Sequence, residues 1–139
     1  MAKKKMADEK LSLAIVKQNK TVFTSQESGV KGLVEAISNC GSSLQEAAVA
    51  DSVVGKAAAL LCVHAQFSSV YACVMSRLGE EVLRRSSVPF QHETIVPNIL
   101  NQRRTDICPF EKIVLRTDSP EEAFLMISHH LSKETSHRA

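Results

Sequence analysis

The sequence predicts an α/β protein, a three-layer α/β/α sandwich built around a mixed sheet. Three observations lead to this fold class. Two short β-prone runs near the start of the chain flank a tight-turn sequence, Lys17-Gln18-Asn19-Lys20. Helical and strand patterns alternate after this hairpin. The long apolar stretch from Asp51 to Ser76 is typical of a buried helix followed by a buried strand, and such a pair needs other elements around it.

Length and composition narrow the class of protein. The chain has 139 residues, enough for one domain with its own core. The formal net charge is +2, and Lys3, Lys4 and Lys5 supply part of it, so nucleic acid binding is not indicated. No apolar run approaches the roughly 20 residues of a membrane span, and no apolar signal core follows the lysines. The four cysteines have no C-x-x-C spacing. We expect a cytoplasmic protein with reduced thiols.

The first third of the chain contains the hairpin and one helix. Residues 1–10 are polar and lysine-rich; we predict a flexible tail there, with a short lead-in helix as the alternative. Leu11–Val16 and Thr21–Ser25 are the predicted hairpin strands, because asparagine tolerates the positive φ of a tight turn. Apolar residues at spacings of three and four then predict a helix over Gly29–Asn39, with Gly41 near its C-cap.

The central unit follows. The chain is apolar on nearly every helical side from Val53 to Ala65, which predicts a helix covered on both sides, and Asp51 suits its N-cap. Val70–Met75 is a short β-rich run and predicts a central strand. Lys56 does not fit an apolar helix, because both desolvation and the helix dipole oppose its charge.

The next elements complete a strand–helix–strand step. A short helix with a polar back is predicted between Ser76 and Arg85, followed by a strand over Val88–Val96. Asn98–Asp106 is polar and predicts a loop. Cys108-Pro109-Phe110-Glu111 predicts a helix start, since proline suits the first helical position.

The last helix has a strong start signal. Ser119 is the predicted N-cap, Pro120 takes the first position and Glu122 completes a capping box. We therefore predict a single domain over residues 11–131 and a C-terminal tail over 132–139. Its sheet should be antiparallel at the hairpin and parallel where helices cross over. The predicted apolar face of the last helix consists of Ala123, Phe124, Ile127 and Leu131.

Two motifs resemble a small uncharacterised family, domain of unknown function 1893. They are Val49-Ala50-Asp51-Ser52-Val53-Val54-Gly55-Lys56-Ala57-Ala58-Ala59 and Cys108-Pro109-Phe110-Glu111-Lys112. The similarity is collinear from about Leu11 to Leu131. The resemblance implies a cytidine-deaminase-like fold, which agrees with the order of elements. It also implies a site at the N-termini of two helices beside a central strand, and those helices would begin near Ser52 and Ser76.

The chain departs from zinc deaminases at both of their metal motifs. Those enzymes carry H-x-E or C-x-E at the first helix and P-C-x-x-C at the second, because zinc needs fixed ligands and a glutamate must move protons. The corresponding sequences here are Lys56-Ala57-Ala58 and Ser76-Arg77-Leu78-Gly79. We expect no zinc, no other metal and no cofactor.

Three residues are catalytic candidates. Cys108 stands at a predicted helix N-terminus, where the dipole and free N–H groups favour a thiolate; its alternative role is structural. Lys56 either pairs with a carboxylate such as Asp51, binds an anionic ligand, or packs its stem and extends its ammonium to water. Asp51 is either a base or a helix cap. If two positive helix ends face one pocket, one small ligand would touch all three.

Five further residues are candidate ligand-binding positions. The resemblance places the two serines near helix starts. The other three also have a plain structural role: the glycine allows close packing, the glutamate complements a dipole and the arginine is a solvated loop residue. They are Ser52, Gly55, Ser76, Glu111 and Arg103.

These observations leave two classes of function open. The first is a module that binds a small anionic or nucleotide-like ligand and is not a zinc deaminase. The second is a non-zinc enzyme with Cys108 as nucleophile, assisted by Lys56 and Asp51. The fold alone does not carry a chemistry. The resemblance also makes a homodimer plausible.

Overall fold

The helices and strands alternate after an N-terminal hairpin, as the sequence predicts. The computed structural model describes residues 2–27, 29–101 and 103–138, with side chains as far as Lys133. The helices are α1 (Ala2–Asp8), α2 (Lys31–Cys40), α3 (Lys56–Ala65), α4 (Arg77–Arg85), α5 (Pro109–Ile113) and α6 (Pro120–Arg138), and a 3₁₀ turn spans Gly41–Leu44. The strands are β1 (Leu13–Lys17), β2 (Lys20–Ser25), β3 (Ala48–Val54), β4 (Ser69–Ser76) and β5 (Phe90–Val96).

The five strands form one mixed sheet in the order β2-β1-β3-β4-β5. β1 is antiparallel to both β2 and β3, whereas β3, β4 and β5 are mutually parallel. This confirms the predicted mixed sheet and the interior position of the Val70–Met75 strand. Because β1 alone runs the other way, β2, β3, β4 and β5 all end at one edge of the sheet, which we name the carboxyl edge.

The hairpin turn has the backbone that its sequence predicts. Gln18 and Asn19 have φ values of 51° and 62°. Two successive residues with positive φ make the type of turn whose twist matches that of paired strands. Lys17 and Lys20 pair on either side of it.

The sequence reading missed β3, and the prediction for Asp51 was wrong. Asp51 lies inside this strand, opposite Leu13 on β1 and Ala72 on β4, so it is not a helix N-cap. Gly55 takes the N-cap position and α3 begins at Lys56. Only one residue separates strand from helix, so the apolar run continues across the boundary and its periodicity does not reveal it.

Helices cover the two faces of the sheet unequally. The main core lies between the sheet and α2, α3, α4 and α6, and α3 is buried along most of its length. On the other face, Ala2 and Met6 of α1 pack against Ala14, Val16 and Ala50. Of the two alternatives for this segment, the structure shows the short lead-in helix, because Ala2 and Met6 dock it on the sheet.

The C-terminal half follows the predicted order. Ser76 caps α4 by accepting a hydrogen bond from the Gly79 N–H at 3.0 Å, and Ser119 accepts one from the Glu122 N–H at 3.2 Å at the start of α6. The prediction that a C-terminal tail begins at residue 132 was wrong, because α6 continues to Arg138. Within the described ranges, no helix combines the length and apolarity needed to cross a membrane.

Candidate functional site

Helices begin at the carboxyl edge, where four strands end. α2 follows β2, α3 follows β3 and α4 follows β4. The segment after β5, residues 97–118, includes α5 and returns across this edge. Open α/β sheets bind their ligands outside the carboxyl ends of their strands. The candidate site therefore lies around the first turn of α3, at the middle of the edge.

The backbone N–H groups of this turn are bonded to a carboxylate from a distant part of the chain. Glu111 of α5 is 6% exposed and accepts hydrogen bonds from the N–H groups of Lys56 at 2.8 Å and Ala57 at 2.7 Å. The sequence reading had placed Glu111 as a complement to its own helix dipole. The structure instead places its side chain at the positive end of α3, where an anion is favoured.

Gly55 makes room for this carboxylate. A Cβ atom at Gly55 would collide with the Glu111 carboxylate and would stand 2.8 Å from Cγ1 of Ile99. Burial raises the pKa of Glu111, while the hydrogen bonds from Ala57 and Lys56 and the charge of Lys56 act in the lowering direction. The anion position at the α3 terminus is thus filled by the protein itself.

A small cavity lies beside Glu111, and we name it the cysteine cavity. It has a volume of about 40 Å³ and is lined by Cys108, Glu111 and Phe110 on one side and by Gly29, Val30 and Ala57 among others on the opposite side. This volume holds about two or three water molecules. Cys108 is the N-cap of α5, which has only five residues.

The Lys56 side chain points away into a second cavity, which we name the lysine cavity. Its volume is about 210 Å³. The Lys56 ammonium lies 3.3 Å from the Leu115 carbonyl oxygen and 3.2 Å from Oδ1 of Asp118. The side chain of Lys56 is 10% exposed, whereas that of Asp118 is 73% exposed. The lining of the cavity comprises Lys56, Leu78, Glu81, Val82, Arg85 and Asp118.

Two cations of the lysine cavity share one carboxylate. Nη1 of Arg85 stands 4.0 Å from Oδ2 of Asp118, whose other oxygen faces Lys56. Arg85 also pairs with Glu81 one helical turn earlier. The charges in the cavity therefore balance while Asp118 remains in place.

Asp51 belongs to neither cavity. It is 5% exposed, and its Oδ1 lies 3.4 Å from the Val53 N–H. Burial raises the pKa of Asp51 to about 7, against smaller lowering effects of the Val53 and Ser52 N–H groups. Cys62 of α3 is also buried, and burial together with the charge of Asp51 raises the pKa of its thiol. Asp51 is a core carboxyl group.

The predicted shared pocket therefore divides into separate places. Cys108 and Glu111 meet in one cavity, the Lys56 ammonium faces another, and Asp51 lies in the core. Cys108, Lys56 and Asp51 do not meet in either of these two cavities, so a single small ligand that touches all three stays a prediction.

The other predicted site residues lie in different parts of the structure. Gly55 lines the cysteine cavity, and Ser76 is the α4 cap. Ser52 lies in β3, where its N–H donates to the Ser12 carbonyl, so no helix begins there. Arg103 is exposed on the loop after β5 and lines neither cavity.

Sequence reasoning missed Arg85 and Asp118. Arg85 was seen only as the end of a helix, and Asp118 stood within a capping sequence that explained it. Tertiary packing brings Asp118 to Lys56 and brings Arg85 to Asp118, and no local pattern reports such contacts. In the ranges 2–27, 29–101 and 103–133, no three or more His, Cys, Asp or Glu side chains are grouped so that they could hold a metal ion.

Comparison with known proteins agrees with the fold and the motifs. No curated protein matches the chain. A crystal structure of a DUF1893 family protein from Thermotoga maritima matches with a TM-score of 0.85 and 31% identity, over 95% of this chain and 86% of that one. The family described as "Domain of unknown function (DUF1893)" matches residues 1–131. The chain belongs to this DUF1893 family.

Proposed function

We propose that this protein is a ligand-binding module that takes a small anionic compound, such as a phosphate-bearing, nucleotide-like one, in the lysine cavity. The observation that carries the proposal is the Lys56 ammonium. It is nine-tenths buried and faces the lysine cavity beside a second cation, Arg85. Its counter-charge, the Asp118 carboxylate, is largely exposed and therefore contributes little to the packing.

Burying the Lys56 ammonium at this position costs free energy, and a role in binding an anion would offset that cost. A buried ammonium loses hydration, and the first turn of a helix is the positive end of its dipole. An apolar side chain would fill the same place at no such cost. The charges of Lys56 and Arg85 favour an incoming anion in the lysine cavity. A binding role therefore explains a lysine at this point better than a packing role does.

The size and lining of the cavity indicate what kind of anion fits. The volume of about 210 Å³ is below that of sites that enclose a drug-sized ligand. A phosphate or carboxylate group would lie between Lys56 and Arg85, and Leu78 and Val82 offer apolar contact to whatever the group is attached to. A nucleotide would place its phosphate in the cavity and leave its base outside.

Calorimetric titration with inorganic phosphate and with a nucleoside monophosphate tests the proposal. Lys56→Met should weaken binding by about tenfold or more, because a hydrogen bond to a charged group contributes roughly 1.5–3 kcal/mol. Arg85→Met should weaken it less, since Arg85 is exposed. Binding should also fall with added salt.

Two control variants remove the same charges elsewhere. Lys20→Met changes an exposed hairpin lysine, and Arg84→Met changes the neighbour of Arg85, which pairs with Glu80 and does not line the cavity. Both should bind phosphate like the unaltered protein. Equal loss in Lys20→Met and Lys56→Met, or no saturable binding of either anion, would contradict the proposal.

A second candidate function rests on the cysteine cavity, where the Cys108 thiol and the buried Glu111 carboxylate line the same space. A carboxylate beside a thiol can accept its proton, so thiol chemistry with Glu111 as the base is the alternative. Alkylation with iodoacetamide, with the modified cysteine identified by peptide mapping, distinguishes a nucleophilic Cys108 from a structural one. A nucleophilic Cys108 reacts faster than glutathione and slows in Glu111→Gln, whereas a structural one reacts more slowly than glutathione in both proteins.

A further inference from the structure

We infer that Asp118 is an internal competitor for the anion position, and that a ligand binds by displacing its carboxylate from Lys56. The inference rests on the proposed function and specifies how the site is regulated. In the free protein Asp118 supplies the counter-charge that the buried ammonium needs; in the complex the ligand supplies it.

The contacts of Asp118 are those of a stand-in ligand. Its two oxygens face the two cations of the lysine cavity, with Oδ1 at 3.2 Å from the Lys56 ammonium and Oδ2 at 4.0 Å from Nη1 of Arg85. An anionic group that bound both cations would need the same place. Asp118 and a bound phosphate would therefore exclude each other.

The backbone on both sides of Asp118 is fixed, so its side chain can leave without moving the chain. Thr117 is 6% exposed and its N–H donates to the Val114 carbonyl at 3.2 Å. Its hydroxyl oxygen accepts from the Ser119 N–H at 3.1 Å, and the Ser119 carbonyl begins the hydrogen bonding of α6. Rotation about the side-chain bonds of Asp118 would therefore free the Lys56 ammonium.

Displacement is also easy on energetic grounds. Asp118 is 73% exposed, so its carboxylate regains water as soon as it leaves Lys56. Exposed ion pairs contribute little to stability, because solvent screens them and the side chains lose rotational freedom. The ammonium, by contrast, is buried and keeps a partner in both states.

Phosphate titration of Asp118→Asn tests this inference. The amide cannot compete as an anion, so the dissociation constant for inorganic phosphate should fall by up to about fivefold, the upper end of the range for an ion pair with an exposed partner. Glu81→Gln is the matched control. It removes a negative charge from the same cavity lining, although the contact of Glu81 is with Arg85. It should tighten binding by less than Asp118→Asn does.

The outcomes separate the two proposals. Binding by the unaltered protein that is lost in Lys56→Met but unchanged or weaker in Asp118→Asn overturns the competitor role and leaves the proposed function standing. Equal tightening in Asp118→Asn and Glu81→Gln also overturns it, because a general field effect then suffices. No phosphate binding by the unaltered protein and by Asp118→Asn alike overturns the proposed function, and the inference with it.

Discussion

At the first turn of α3, two positive groups are each paired with a carboxylate, and the two carboxylates differ in their exposure to solvent. On one side, its backbone N–H groups meet the carboxylate of Glu111, which is 6% exposed and fits against Gly55. On the other, the Lys56 ammonium meets the carboxylate of Asp118, which is 73% exposed. Both are tertiary pairings of a positive group with a carboxylate.

The two contacts differ in whether a solute can replace the carboxylate. The Glu111 contact is short and doubly hydrogen bonded, and the Glu111 side chain is almost fully buried, so breaking it leaves buried polar groups without partners. The Asp118 contact opens onto a cavity of about 210 Å³, where a solute can take over its role. We therefore expect substitutions on the Glu111 side to change stability, and substitutions on the Lys56 side to change binding.

Gly55→Ala should have the largest effect. Its methyl group would force the Glu111 carboxylate off the helix end and press on Ile99. Overpacking together with the lost charged hydrogen bonds predicts a loss of about 3–5 kcal/mol in the free energy of unfolding. Urea denaturation at neutral pH measures it.

Gly32→Ala is the control for this substitution. Gly32 lies in α2, where a Cβ would come within 3.1–3.2 Å of Ser25 and Leu13 side-chain atoms and meet no carboxylate. A gain in helix propensity opposes the tight contact, so the net change should stay within about 1 kcal/mol. Equal losses at both glycines would mean that crowding alone, and not the Glu111 contact, explains Gly55.

Glu111→Ala should come next, at about 2–4 kcal/mol, because two buried N–H groups lose their acceptor and the α3 dipole loses its anion. Glu111→Gln keeps one oxygen acceptor and should lose less. The same urea experiment applies. A loss below about 0.5 kcal/mol in Glu111→Ala would show that water replaces the carboxylate and that this side of the turn is not closed.

Asp51 provides a further test of the comparison, because its carboxyl group is buried like that of Glu111 but does not face a helix N-terminus. Its folded pKa of about 7 lies above the ordinary value of 3.8. The folded state therefore holds more protons than the unfolded state between those values, and stability falls as pH rises through them. The raised pKa of Glu111 acts in the same direction.

The contribution of Asp51 to the pH dependence of stability can be measured by comparing the unaltered protein with Asp51→Asn. From pH 5 to pH 7 it should lower the free energy of unfolding by on the order of 2 kcal/mol. Asp51→Asn should remove this part of the pH dependence, as followed by urea unfolding at both pH values. If the two proteins show the same pH profile, Asp51 is ionised in the folded state and has a partner that burial does not reveal.

Lys56→Met should have the smallest effect on stability. Replacing a buried ion by an apolar side chain of similar length is often neutral or slightly stabilising, so the change should lie within about 1 kcal/mol. Thermal unfolding checks this beside the phosphate titration. A destabilisation as large as that of Glu111→Ala would show that both sides of the turn are structural.

The sequence predicted those features of the fold that depend on local signals. The positive φ at Asn19 and the Ser119 cap were both predicted from a few adjacent residues. β3 was missed because Val49 to Val63 is a nearly continuous apolar run, in which a strand and a helix look alike. Asp51 added to the error, since aspartate is rare in strands and common at helix caps.

The site was predicted only in part, for a related reason. Lys56 stood out because a charge in an apolar run is a local anomaly, and Glu111 and Cys108 stood out through their helix start. Which groups they meet depends on contacts across 55 or more residues, such as that between Glu111 and the Lys56 N–H. Such pairings are set by the packing of α5 and α6 on α3, and no periodicity encodes them.

A ¹⁵N-resolved NMR titration with inorganic phosphate tests the central claim most directly, because it reports which side of the α3 turn is open. We predict saturable shifts of the amides of Leu78, Val82 and Asp118 around the lysine cavity, which disappear in Lys56→Met. Shifts confined to Gly29, Val30 and Cys108, around the cysteine cavity, would contradict it.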